Sequence, residues 1–271
     1  MEPKLHRRVQ RYGLDMAVQD YDRYFVPLLR HCSERCLDLA ALQPGERVLD
    51  VATGTGVAAF LAAERVGPSG EVVATDISQK MVEAVRADAE SRGVTNIRFE
   101  RVDAEDIAFP DASFDAVTCV LGLMYPADPQ QAINQIYRVL KPGGRAAVCV
   151  WGRRERCGWA EIFPIVESRT SSDVCQMFFA LGTGSAMADA FRSAGFAEVR
   201  EERISVPIVF PTAAAAIGAA FIGGPVALAH SRFDDPTRES AYAEYLTSIE
   251  MYRQGEAYHV PGEFVAVVGR A

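Results

Sequence analysis

The sequence predicts an α/β fold built on a doubly wound, mostly parallel sheet, and three observations carry that expectation. The stretch Arg47-Val-Leu-Asp-Val-Ala-Thr-Gly54-Thr-Gly56 runs from a short β-branched segment into a Gly-x-Gly turn, and a helix-forming run, Ala58 to Glu64, follows. A second strand pattern, Glu71 to Asp76, ends in an acid 20 residues after Gly56. Strand and helix patterns then follow one another as far as Trp151, with only the third and fourth strands joined without a helix, the order of a parallel sheet with crossover helices.

A chain of 271 residues can bury a full core and suits one α/β domain with insertions. Its 49% hydrophobic and 24% charged residues exclude disordered and collagen-like classes. A formal net charge of -8 leaves no basic surplus to neutralise phosphates, so nucleic acid is not expected as a partner. Basic residues near Met1 are not followed by an apolar run, so no secretory leader is expected. The six cysteines, at 32, 36, 119, 149, 157 and 175, lack CxxC spacing. They read as core thiols of a cytoplasmic protein rather than as disulfides or metal ligands, and no metal is expected.

Taken in order, residues 1–45 read as amphipathic helix, closed by Gln43-Pro44-Gly45 before the first strand. Tyr12, Tyr21 and Tyr24 on it would either pack on the sheet edge or belong to a lid. The Lys80–Ser91 helix is capped by Gly93. The third strand, Ile97 to Val102, leads to Asp103-Ala104-Glu105-Asp106, of which Glu105 and Asp106 read as solvated or capping. The fourth, Ala116 to Val120, runs into Leu121-Gly-Leu-Met124-Tyr125 at its carboxyl end, where open α/β sheets bind ligands. A helix from about Pro129 to Leu140 stops at Lys141-Pro-Gly-Gly144 and turns into the fifth strand, Arg145 to Trp151.

Two carboxylates select among ligands. Asp50 stands at the end of the first strand, four residues before Gly54. An acid there repels a pyrophosphate but holds an ammonium and tolerates a sulfonium nearby. Asp76 can accept the two hydroxyls of an adenosine ribose, or else cap the next helix, for which Ser78 is an equal candidate. A dinucleotide dehydrogenase, which would bind nicotinamide, uses a similar glycine turn but is disfavoured by Asp50.

The pattern Val48-Leu-Asp-x-x-x-Gly-x-Gly56 resembles motif I of the class I S-adenosylmethionine-dependent methyltransferases. Arg138-Val-Leu-Lys-Pro-Gly-Gly-Arg145 resembles a second signature of that family. The run Phe114 to Arg145 is most similar to the ubiquinone/menaquinone C-methyltransferase-like small-molecule subgroup. The resemblance implies a Rossmann-like, seven-stranded sheet with an antiparallel last strand. It implies S-adenosylmethionine as cofactor, held by Asp50, Ala52, Thr53, Gly54, Thr55 and Gly56, by Asp76, Ile77 and Met81, by Asp103 and Ala104 at the adenine, and by Leu121. Tyr24, Met124, Tyr125 and Trp151 are the expected contacts to the acceptor.

Beyond Trp151 the landmarks thin out. Trp159, Phe163, Met177, Phe178 and Phe179 are either core or pocket lining. Ala188 to Ala194 reads as the last sheet-covering helix, and Glu198 to Val209 and Phe264 to Gly269 as the sixth and seventh strands. In the resembled family those two strands form a tight hairpin, so the segment between them reads as an inserted helical cap. Its uncharged run Ile208 to Ala229 is broken by Pro211, Gly218, Gly223, Gly224 and Pro225, and no stable membrane insertion is expected. The expected units are an N-terminal lid (1–45), a cofactor-binding domain (46–209 and 261–271) and a cap (210–260), with part of 152–190 assignable to either of the last two.

If the last strand runs antiparallel, His259 enters beside the active face as a candidate base, with Tyr21, Tyr24 and Tyr125 competing for that job or for orienting substrate. An exposed, idle loop histidine is the competing reading. The expected reaction is in-line attack by an O, N or C nucleophile of a small, apolar or aromatic acceptor on the sulfonium methyl. A methyltransferase-fold protein of other chemistry, or one that binds cofactor without transfer, is the alternative. The oligomeric state, a homodimer included, is left open.

Overall fold

The structure, a computed structural model, describes residues 6–8, 11–13, 15, 30–170, 178–223 and 226–271. Tyr21, Tyr24, Cys175 and Met177 lie outside these residues. A helix over residues 30–40, α1, precedes the first strand, β1 (Arg47–Val51). There follow α2 (Val57–Val66), β2 (Glu71–Asp76), α3 (Gln79–Arg92), β3 (Ile97–Arg101), β4 (Phe114–Val120), α4 (Pro129–Val139) and β5 (Leu140–Trp151). The strands order as β3-β2-β1-β4-β5, all parallel.

Alternation within each strand explains why both sheet faces are covered. In β1, Val48 packs into a cluster with α1, α2 and α3, whereas Leu49 and Val51 point into a second cluster with α4. The buried alanines 58, 59, 62 and 63 let α2 lie close on the sheet. Asp128, Ser78 and Gly93 supply the helix caps: Asp128 caps the amino end of α4, Ser78 Oγ accepts from Met81 N at 3.1 Å at the start of α3, and Gly93 ends α3 in the left-handed region. Ser78, not Asp76, is thus the cap.

Two details differ from the sequence expectation. Lys141 to Gly144 form no free turn, because β5 already begins at Leu140, opposite Phe114. The four residues bulge out before Arg145 pairs with Ala116, and Gly143, at φ 78°, makes the bulge while its N–H donates to Ala271 O at 2.8 Å.

The last strand is also longer than expected. A short helix, α5 (Ile162–Glu167), and α6 (Ala186–Ala194) lead to β6 (Ala197–Phe210), and after the insertion come β7 (Arg253–Gln254) and β8 (Ala257–Arg270). β8 runs antiparallel between β5 and β6, so the antiparallel last strand is present, with the two-residue β7 as a small addition. β8 pairs with β6 from Arg270 to Tyr258 but with β5 only as far as Phe264. Its first half therefore projects past the sheet as a two-stranded ribbon.

The insertion between β6 and β8 is helical: α7 (Ala213–Ile217), continued by a π-helical turn Gly218–Ile222, then α8 (Ala227–His230) and α9 (Asp235–Ile249). Phe221, Tyr245 and Ile249 are fully buried beneath it, each contributing on the order of 1.5–3 kcal/mol of apolar burial. No described helix is long and apolar enough to cross a membrane. The described cysteines, 32, 36, 119, 149 and 157, are buried free thiols. Among the described residues no cluster could hold a metal ion.

Candidate active site

The carboxyl ends of β1, β2 and β4 meet in a cleft of two lobes, which share Ala52, Asp76, Gly122 and Tyr125. Backbone strain marks this junction. Ala52 ends β1 at φ 55° and Leu121 ends β4 at φ 55°, both in the left-handed region that side chains disfavour. The two ends touch through Gly122, where a Cβ would stand 2.5 Å from Ala52 Cβ and 2.7 Å from Cys119 Sγ. Hydrogen bonds hold the turn: Thr53 N donates to Thr75 O (2.8 Å), and Gly54 N donates to Asp76 Oδ2 (3.0 Å).

Two buried acids dominate the first lobe. Asp50 is 1% exposed; its Oδ1 accepts from the Thr118 hydroxyl at 2.7 Å, while Oδ2 has no partner. The hydroxyls of Thr53 and Thr55 are also buried without partners. Burial pushes the Asp50 carboxyl up to about 6, against the Thr118 hydrogen bond that favours the charged form. Asp76 accepts from Gly54 N and, through Oδ1, from Ser78 N at 2.9 Å. Burial raises it to about 6 as well, and these backbone N–H groups pull it down. Each of its oxygens keeps a second lone pair for a ligand hydroxyl.

The second lobe is lined by Ile77, Val102, Asp103, Ala104 and Pro126, an apolar slot with a carboxylate at its rim. The N-terminal residues reach over it. Arg7 Nη1 lies 3.5 Å from Asp103 and 3.1 Å from Glu105, His6 Nε2 is 2.8 Å from the Tyr125 carbonyl oxygen, and the Ser78 hydroxyl donates to Asp15.

The arrangement fits a ligand with a zwitterionic end, a ribose and a flat base. The unpartnered Asp50 oxygen suits an ammonium, the unpartnered Thr53 and Thr55 hydroxyls suit a carboxylate, and Asp76 stands where the lobes join. Of the residues expected from the sequence, Asp50, Ala52, Thr53, Gly54, Thr55, Asp76, Met81 and Leu121 line the first lobe. Ile77, Asp103 and Ala104 line the second, and Tyr125 lines both.

Gly56 does not line either lobe. It caps α2 at φ 87°, and a Cβ there would fall 2.2 Å from Val85 Cγ2, so its task is packing. Met124 and Trp151 are 6% and 3% exposed in the apolar cluster behind the cleft, not on its wall. The expected candidates Tyr21 and Tyr24 fall outside the described residues.

His259 is not the loop residue expected beside the active face. It lies within β8, opposite Val209, which is 51% exposed. The alternate residues Tyr258, Val260 and Phe264 face the apolar cluster, so His259 points to the other face of the ribbon. Glu105 also differs from expectation: it is 8% exposed and accepts from Ala127 N at 2.7 Å, tying the β3 loop to the start of α4. Ser33, Gly122 and Arg7 are cleft residues that sequence reasoning missed. Of these only Gly122, directly after a predicted strand end, carried a readable signal.

Comparison with known proteins agrees with this geometry. Residues 42–177 match a family model described as a methyltransferase domain. Nocamycin O-methyltransferase from Saccharothrix syringae is 36% identical over 215 residues, which cover 73% of this chain and 76% of that protein. Demethylmenaquinone methyltransferase from Thermus thermophilus is 45% identical over 114 residues, 42% of this chain and 51% of that protein. The match to this second relative thus spans about half of its length. The solved YcgJ protein of Bacillus subtilis superposes with a TM-score of 0.62 at 21% identity, covering 89% of this chain and 97% of that one. At that identity the likeness speaks for the fold alone.

Proposed function

The chain belongs to the methyltransferase domain family, and from that premise we propose that it methylates a small, apolar or aromatic acceptor with S-adenosylmethionine. The observation that carries the reading is the two-lobed cleft, whose first lobe holds the unpartnered Asp50 oxygen and threonine hydroxyls while Asp76 stands at the junction. When bound, S-adenosylmethionine supplies a methyl group activated by a positive sulfur. Asp50 holds the ammonium, Thr53 and Thr55 donate to the carboxylate, and Asp76 accepts the ribose hydroxyls. Ile77, Val102 and Ala104 enclose the adenine, with Asp103 at its edge.

For the reaction itself the chain supplies position and dryness. Tyr125 borders both lobes, and burial together with Asp76 pushes its phenol well above the ordinary range, so it acts as a neutral wall and not as a base. Holding the acceptor atom in line with methyl and sulfur supplies most of the acceleration, and a base is needed only for acceptors that must lose a proton. The N-terminal segment, through Arg7 and Asp15, is read as the lid, and the insertion over residues 210–260 as the cap.

Incubation with methyl-labelled S-adenosylmethionine and a cell extract, followed by fractionation, tests the reading. Label in an organic-soluble small molecule is expected. Label in protein or nucleic acid refutes the small-molecule acceptor, and binding without any transfer moves the protein to the other chemistries of this fold.

A further inference from the structure

Among the described residues, five buried side-chain nitrogen or oxygen atoms lack a hydrogen-bond partner. Three of them, on Asp50, Thr53 and Thr55, belong to the cofactor cleft, where a ligand satisfies them. The other two, Trp159 Nε1 and Tyr245 Oη, lie elsewhere, in the large apolar cluster that covers one face of the sheet. Natural cores rarely leave such atoms unpaired, and each one calls for a partner from outside the chain or another physical reason.

The path from the cleft to Trp159 is short and aromatic. Tyr125, on the cleft wall, meets Phe178 edge-on at 5.8 Å between ring centroids, and Phe178 meets Trp159 at 5.9 Å. Trp159 also packs on Trp151 at 4.6 Å, and Trp151 on Phe264 at 4.3 Å, at the carboxyl end of β5. Trp159 is 8% exposed, so its indole N–H is sheltered from solvent and can only donate. Tyr245, in α9, is fully buried, and its ring meets Phe221 edge-on at 5.8 Å.

Building on the methyltransferase reading above, we propose that Trp159 determines acceptor specificity: its indole N–H donates to a neutral carbonyl- or ether-type oxygen on an aromatic ring system seated among these side chains. The ring system follows from the aromatic walls, which favour flat apolar partners. The neutral oxygen follows from a donor-only contact whose neighbouring rings, Phe163, Phe178 and Phe179, carry no group to pair a charge.

The chain's two tryptophans both stand in this cluster, so each indole N–H gives a resonance that reports on it. The test uses the full chain with ¹⁵N-labelled tryptophan, saturated with S-adenosylhomocysteine and titrated with 1-tetralone or with tetralin, the same skeleton without oxygen. Trp151→Phe identifies the Trp159 resonance whether or not Trp159→Phe folds. The expected result is a downfield shift of Trp159 Nε1–H with tetralone alone, and about tenfold weaker tetralone binding in a folded Trp159→Phe with tetralin unaffected. Equal shifts with both compounds, as for an N–H resting on the Trp151 ring, overturn the proposal, as does no shift with either. Calorimetry of S-adenosylhomocysteine on the same sample separates the two readings: lost cofactor binding refutes the proposed function, whereas retained binding without a tetralone-specific shift refutes only the role of Trp159.

Discussion

Replacing Asp50 by asparagine should make the ligand-free protein more stable and at the same time a worse binder of cofactor. Burial lifts this carboxyl from 3.8 to about 6. At 1.36 kcal/mol per pH unit, holding its charge in the fold at neutral pH costs about 3 kcal/mol relative to the unfolded chain. Between about pH 4 and pH 6 the folded protein keeps a proton that the unfolded chain has lost, so this contribution lowers stability as pH rises through that window. Asparagine keeps an oxygen for the Thr118 hydroxyl (2.7 Å) but leaves an amide unpartnered, a penalty of about 1–3 kcal/mol. The net gain is about 1 kcal/mol at pH 7.5, a rise of about 2–4 °C in Tm for a chain of this size. Binding moves the other way: losing a charge-assisted contact to an ammonium is worth about 1.5–3 kcal/mol, or about 10- to 150-fold in Kd. Thermal melts of both proteins from pH 4 to 8, with calorimetry of S-adenosylhomocysteine at pH 7.5, measure both effects. An asparagine variant that binds as tightly as the parent, or that melts several degrees lower at pH 7.5, would refute the reasoning.

Other substitutions separate packing from binding. Gly56→Ala puts a Cβ 2.2 Å from Val85 Cγ2 at φ 87° and should cost on the order of 3–4 kcal/mol; Gly143→Ala, at φ 78° with nothing within 4 Å, should cost only about 1 kcal/mol in urea denaturation. Gly122→Ala drives a Cβ to 2.5 Å from Ala52 Cβ and should weaken cofactor binding at least about tenfold by parting the ends of β1 and β4. Adding Ala52→Gly, which also relieves φ 55°, should restore it in part in the same calorimetric assay, because the contact with Cys119 Sγ at 2.7 Å remains. His259→Ala should leave kcat and its pH profile unchanged once an acceptor is in hand, because the side chain faces away from the aromatic cluster.

What the sequence discloses and what it conceals divide along the range of the interactions involved. Asp50 and Asp76 were legible because an acid at a strand end, at fixed distance from a glycine turn, is a local pattern whose ligand follows from charge. The place of Gly122 after a strand end was legible, but its need for glycine was not, because that comes from the Ala52 methyl, brought to it by the pairing of β1 with β4. Arg7 and Glu105, 98 residues apart, meet only when the amino-terminal segment folds over the β3 loop. His259 was misread for a more instructive reason. Pro261-Gly262 breaks any single-chain strand pattern, so the last strand appeared to begin at Phe264. In the fold Pro261 stands opposite Pro207 on β6. Two prolines can face each other wherever neither backbone amide is used in the ladder, and β5 has already ended at Trp151, so no other strand asks for the missing N–H. The ribbon therefore continues through the break to Ala257, carries His259 onto its outer face, and turns Tyr258, Val260 and Phe264 inward against the cluster that holds Trp159.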